Sequence, residues 1–171
     1  QTFQAIAPSG WQLTLILGVQ TAGEKIFYEH LTSLAHGVAH MKILCNLPSS
    51  AVRDHLSRAA IAALPSLVHE GFPRAVVEAM ACGCATIATN RGGTPQATGK
   101  SALLLDLKKD QDLVDELSHA LHQLITRESE RTKLGAAGRQ TILDHLSLDG
   151  MAHRYDDFLE RFLQTDCHPD E

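Results

Sequence analysis

Residues Pro65 to Gly93 read PSLVHEGFPRAVVEAMACGCATIATNRGG. The stretch alternates strand, loop, helix, strand and turn. A short buried strand, Ile61 to Pro65, runs into its first residue. A loop from Ser66 to Phe72 follows and holds Glu70 and Gly71. A helix is expected from Pro73 to Ala81, with Pro73 at the first helical position, where its missing N–H costs nothing. Gly83 ends that helix. Ala85 to Thr89 reads as the next strand and Gly92-Gly93 as a turn. Two strands joined through a helix demand a parallel pair.

The start of that helix is the chemically informative point. The N–H groups of Arg74, Ala75 and Val76 are expected to lack intrahelical acceptors and to point back at the loop, which makes an anion site. Gly71 has no Cβ, so a ligand can approach the backbone. Arg74 adds a positive charge. Glu78, about one turn further on, can accept two hydrogen bonds from a vicinal diol such as that of ribose. Glu70 lies before the helix and faces whatever hangs from the other side of a diphosphate. The residues alone leave a second reading open: Glu78 as a solvated helix residue and Glu70 as a loop cap.

Outward from this unit the pattern repeats. Gln1 to Ala7 reads as the end of a helix, broken by Pro8-Ser9-Gly10. Trp11 to Leu17 is a strand ended by Gly18, and Glu24 to Ala35 an amphipathic helix. Val38 to Leu44 is a second strand, and Ser49 or Ser50 is expected to cap a helix through Ala60. Downstream come a short strand, Ala102 to Leu105, and a helix, Asp110 to Thr126. A helix from Glu128 to His145 follows, interrupted around Gly135 and Gly138, and then one from Ser147 to Leu163. The tail after Gln164 is expected to fray. The fold class is therefore α/β, a Rossmann-like parallel sheet with helices on both faces. Ligands bind beyond the carboxyl ends of such strands, which points to the loops after Leu17, Leu44, Leu64 and Thr89.

Composition narrows the function. The 171 residues are 44% apolar and 20% charged, with a formal charge of −5, and the scattered Lys and Arg form no basic stripe for nucleic acid. No apolar run is long enough to span a bilayer, and none reads as a signal peptide. Cys45, Cys82, Cys84 and Cys167 do not form a metal-binding pattern, and the ten histidines show no tight ligand spacing. They read as buried thiols of a reducing cytosol and as surface and packing residues. Asp110-Gln111-Asp112 is a literal DxD, but it opens an amphipathic helix, where acids suit the N-terminus. No P-loop, GxGxxG or GxSxG is present. A glycosidase would need its two carboxylates at a spacing that sequence does not fix.

PSLVHEGFPRAVVEAMACG resembles the EGF-x5-EAMA-x-G motif of the retaining glycosyltransferases of family four. The following ATIATNRGG, the Trp11-x-Leu strand ending in Gly18, and LGAAGR at Leu134 to Arg139 are similar to the same family. The resemblance covers roughly residues 11 to 160. It implies one Rossmann-like domain of a two-domain GT-B architecture. Residues 1–164 are then a partial nucleotide-sugar-binding domain that lacks its first strand–helix unit, and 165–171 a tail. It implies that Glu70, the residue assigned to catalysis, contacts donor-sugar hydroxyls. Gly71, Phe72, Pro73, Arg74 and Ala75 lie by the sugar and phosphates, Glu78 binds the ribose, and Asn46 and Leu47 lie by the base. Gly92 and Gly93 complete the donor site.

The resemblance further implies a hexosyltransferase that forms an α-glycosidic link in polysaccharide or glycolipid synthesis. Its substrate is a nucleoside-diphosphate sugar, with no cofactor and no metal. An acceptor domain is expected before Gln1, with room for peripheral membrane contact through it, at the inner face of a cytoplasmic location. The fragment alone is expected to be inactive. Two departures stand out. The Gly-Arg and Lys that contact the diphosphate in such families precede this sequence, and Pro95-Gln96 replaces the usual Pro-Glu. The alternative from another class is a non-catalytic nucleotide-sugar-binding or regulatory module.

Overall fold

The computed structural model describes residues 10–165. The expected helix at Gln1 to Ala7 and the tail beyond 165 lie outside them. Strand β1 (Leu13–Leu17) leads through helix α1 (Ala22–Ala35) to β2 (Met41–Cys45), and α2 (Ser49–Leu56) leads to β3 (Ile61–Leu64). Helix α3 (Arg74–Ala81), β4 (Ala85–Thr89), α4 (Thr94–Thr98) and β5 (Leu103–Leu105) follow. A 3₁₀ turn at Asp110–Asp112 opens α5 (Leu113–Thr126), and α6 (Glu128–His145) and α7 (Leu148–Thr165) end the described chain.

All pairings are parallel, as the alternation of strands and helices requires. The strands form two sheets, however, where the sequence led to one. One has the order β2-β1 and the other β3-β4-β5, and no strand pairing joins β1 to β3 among the described residues. Strand periodicity reports which residues form strands and which face they present, not which strands lie side by side, so it carries no record of this division.

The core belongs to the three-stranded half. Every residue of β4 is buried. Its alternating side chains serve two layers: Ala85 and Ile87 pack with Leu105 and with Ala120 and Leu124 of α5. On the other face Ala88 packs with Val76 and Met80 of α3 and Ile142 of α6. By contrast β1 and α1 contribute no buried residue, and Ile26, Phe27 and Leu34 of α1 are exposed.

Several boundaries differ from the sequence reading for local reasons. Helix α1 begins before Glu24 because Thr21 and Glu24 form a capping box: the Glu24 N–H donates to Thr21 Oγ1 at 3.2 Å, while Glu24 Oε2 accepts the Gln20 and Thr21 N–H groups. Those bonds hold the Glu24 carboxyl below its ordinary value. Helix α2 has no serine cap; it starts after Pro48 in an extended conformation and stops at Leu56. There the Arg58 and Ala59 N–H groups turn to the carbonyls three residues back, and the Ala60 carbonyl beyond them accepts from Ala85 N–H at 3.1 Å. The short α4 was not read from the sequence. Helix α6 is continuous rather than interrupted at Gly135 and Gly138. Its glycines serve close packing: a Cβ on Gly135 would strike the Gly83 carbonyl oxygen.

Candidate functional site at the β3–α3 and β4–α4 loops

Strand β3 ends at Leu64, opposite Ala88, so the loops after β3 and β4 leave the same edge of the sheet. The loop from Ser66 to Phe72 has no regular structure of its own. The end of β4 and the turn after it hold it at three carbonyls. Thr89 Oγ1 donates to the Ser66 carbonyl, Arg91 Nη1 donates to the Leu67 carbonyl at 2.9 Å, and Gly93 N–H donates to the Glu70 carbonyl at 2.7 Å. Arg91 Nη2 also forms an ion pair with Asp110.

The two glycines explain how the loops come so close. Gly92 has φ +55°, and a Cβ there would fall on the Glu70 carbonyl oxygen. A Cβ on Gly93 would fall on the Gly71 carbonyl oxygen. Any side chain at either position would push the Glu70-Gly71 loop away from the sheet edge.

Helix α3 begins one residue later than expected. Pro73 is the N-cap (φ −83°, ψ 78°), and its carbonyl accepts from Val77 N–H at 3.1 Å. Its ring is fully buried. The Arg74 N–H is not free, as the sequence reading had it, but donates to the Phe72 carbonyl at 3.0 Å. This tight turn spends one donor. The N–H groups of Gly71, Phe72, Ala75 and Val76 have no acceptor among the described residues. Helix periodicity places Arg74, Ala75 and Glu78 together on the exposed face of α3, with Val76, Ala79 and Met80 buried behind them. Arg74 and Glu78 form an exposed ion pair at 3.6 Å. Glu70, Gly71 and Phe72 are likewise exposed.

The site thus brings together Glu70, Gly71, Phe72, Pro73, Arg74, Ala75, Glu78, Gly92 and Gly93. Asn46 and Leu47 stand apart, at the carboxyl end of β2 in the other sheet. Asn46 (φ 51°) closes the β1–α1 loop, accepting the Val19 N–H at 2.8 Å and donating to the Val19 carbonyl at 2.9 Å. No hydrogen bond links it to the 66–72 loop among the described residues. The DxD reading as a helix start is half the story. Asp112 accepts the Lys109 N–H at 3.0 Å, as a cap, whereas Asp110 holds Arg91. Thr89, Arg91 and Asp110 were missed as parts of the site, because their partners are carbonyls and a side chain far along the chain. The Thr that ends a fully buried strand was the one available signal.

Chemically, the arrangement offers free N–H donors and a guanidinium for an anion, flanked by carboxylates on two sides. No group of His, Cys, Asp and Glu among the described residues is placed to hold a metal ion. No described helix is long and apolar enough to cross a membrane. A cavity of about 660 Å³ opens at the amino end of β5, beside Lys100, Arg127 and Lys133. It contains none of these residues and lies away from the edge where parallel sheets bind ligands.

Comparison with known proteins bears on this arrangement. The family model described as Glycosyl transferases group 1 matches residues 12–141. A GDP-mannose-dependent alpha-(1-6)-phosphatidylinositol monomannoside mannosyltransferase of Mycobacterium tuberculosis is 29% identical over 144 residues, covering 78% of this chain and 36% of that protein. The Anabaena protein Alr3699/HepE, solved in complex with UDP and glucose, superposes with a TM-score of 0.76 at 18% identity, over 94% of this chain and 43% of that one. The C-terminal domain of a group 1 glycosyl transferase (LpcC) from Francisella tularensis has a TM-score of 0.67 at 21% identity, covering 86% of this chain and 76% of that domain. The matched stretches span between 23% and 36% of the curated relatives' lengths.

Proposed function

Because the chain belongs to the group 1 glycosyl transferases, we propose that it supplies the donor-binding half of an enzyme. That enzyme moves a hexose from a nucleoside-diphosphate sugar to an acceptor, with retention at the anomeric carbon. The observation that carries this reading is the group of unpaired N–H donors at Gly71, Phe72, Ala75 and Val76, set between Glu70 and Glu78. A diphosphate fits such donors. Glu78, on the exposed face of α3, takes the ribose diol. Glu70 takes hydroxyls of the sugar. Arg74 then exchanges its exposed carboxylate partner for phosphate, a change that costs little because surface ion pairs contribute ~0–1 kcal/mol.

The chemistry is electrostatic. Fixed N–H donors and a guanidinium stabilise charge on the leaving diphosphate, with no reorganisation at the moment of transfer. Retention rests on the motif from Glu70 to Gly83. The printed names of the relatives, one GDP-mannose-dependent and one solved with UDP and glucose, agree with a nucleotide sugar. Asn46 and Leu47 approach the base only when the two sheets are joined. We place a strand–helix unit of the whole protein between β1 and β3, which gives the sheet the order 3-2-1-4-5-6 of dinucleotide-binding domains and brings the basic residues for the diphosphate. Without it, donor binding should be roughly millimolar and transfer absent.

Titration with UDP-, GDP- and ADP-sugars tests the proposal. Saturable binding of one of them supports it. Failure of all three, at concentrations well into the millimolar range, contradicts it.

A further inference from the structure

We infer that Arg91 is the positioning residue of the 66–71 loop and that Asp110 aims it. The conformation of the loop is then set from the β4–α4 turn and the start of α5. The inference deepens the donor-site reading, since that reading gives the loop its purpose. Its basis is geometric. The carbonyls of Ser66, Leu67 and Glu70 accept from Thr89, Arg91 and Gly93 in turn, so the end of β4 and the turn after it hold the loop at three points. Thr89 is the end of a buried strand and Gly93 acts through its backbone, so Arg91 is the one long side chain among the three.

The Arg91 side chain is 20% exposed, while that of Asp110 is 62% exposed. A half-exposed pair of this kind adds little to global stability. It does fix direction. The planar fork of the guanidinium offers one N–H to Leu67 and another to Asp110 at the same time, and an ammonium on a flexible stem cannot reproduce that fork. With Leu67 anchored, Glu70 is three residues further on, and its carbonyl seats over Gly93. Arg91 therefore acts through the loop backbone, with no contact to the donor required.

The test uses the 171-residue chain and its variants Arg91→Ala, Arg91→Lys and Asp110→Asn. Amide hydrogen exchange is read at Gly93, whose N–H bonds the Glu70 carbonyl, and at Ile87 and Ala88 in the buried strand. The expected result is exchange at Gly93 at least tenfold faster in Arg91→Ala, an intermediate rise in Arg91→Lys and Asp110→Asn, and no change at Ile87 and Ala88. A purely structural role would speed all three sites together, and that outcome overturns the inference, as does unchanged exchange at Gly93. The same samples are titrated with UDP-glucose, GDP-mannose and ADP-glucose as donor probes, and the donor that the unaltered chain binds is held at least tenfold more weakly by Arg91→Ala. Should the unaltered chain bind none of them while Gly93 still loosens selectively, the donor-site reading falls and the positioning role stands.

Discussion

The Gly93 N–H donates to the Glu70 carbonyl oxygen at 2.7 Å, which locks the turn after β4 onto the loop before α3. The approach leaves no room for a Cβ on either Gly92 or Gly93. Gly93→Ala should therefore displace the Glu70-Gly71 loop and cost ~1–3 kcal/mol through overpacking. Thermal unfolding measures the cost, and donor titration should show weaker binding. A Gly93→Ala variant with unchanged midpoint and unchanged binding would contradict the lock.

Cys84 gives a prediction independent of function. Burial, and secondarily the neighbouring Cys82, pushes its thiol from an ordinary 9.0 up to about 11. Its Sγ lies 3.1 Å from the Leu56 carbonyl, as donor. The raised value means that the protonated form is favoured in the folded state. Stability from this group is complete below pH 9 and is lost as pH rises from 9 through about 11. Alkylation at pH 8 followed by mass spectrometry should modify the half-buried Cys45 and Cys82 well before Cys84. Early modification of Cys84 would show that the β4 end of the core opens readily.

The strand–helix unit proposed between β1 and β3 predicts the effect of a longer protein. Where a strand–helix unit precedes this segment, alternate amides of β1 and β3 should exchange at least tenfold more slowly than in the 171-residue chain. The exposed Ile26, Phe27 and Leu34 of α1 should gain cover as the helix of that unit packs beside them. Exchange at β1 that is indifferent to the added segment would mean that the two sheets are not halves of one.

Much of the β4 half was legible because local signals agreed with one another there. Ala85 to Thr89 forms the strand read from it, residue for residue, since a short apolar run bounded by Gly83 and Gly92 has few other options. The Glu70 loop and α3 were legible for the same reason. What failed was set by tertiary contact. Gly135 looked like a break in a helix and is instead a packing site against the Gly83 carbonyl. The Arg74 N–H looked free and is taken by the Phe72 carbonyl, because Pro73 sits outside the helix as its cap. Asp110 looked like a helix cap and is tied to Arg91, a partner that no local pattern announces. The split of the sheet was illegible from strand patterns, which carry no record of order.

The central claim is that Glu78 holds the nucleoside end of the donor and Glu70 the sugar end. Calorimetric titration of the chain, Glu78→Ala and Glu70→Ala with a nucleotide sugar and with the matching free nucleoside diphosphate tests it most directly. Fold stability is a clean control, because the Arg74–Glu78 pair is exposed and its loss should cost under ~1 kcal/mol. The account predicts that Glu78→Ala weakens both ligands alike, by ~1.5–3 kcal/mol for the lost charged acceptor, while Glu70→Ala weakens the nucleotide sugar and spares the free nucleotide. Equal losses for both ligands in Glu70→Ala, or unaltered binding of both in Glu78→Ala, would contradict it.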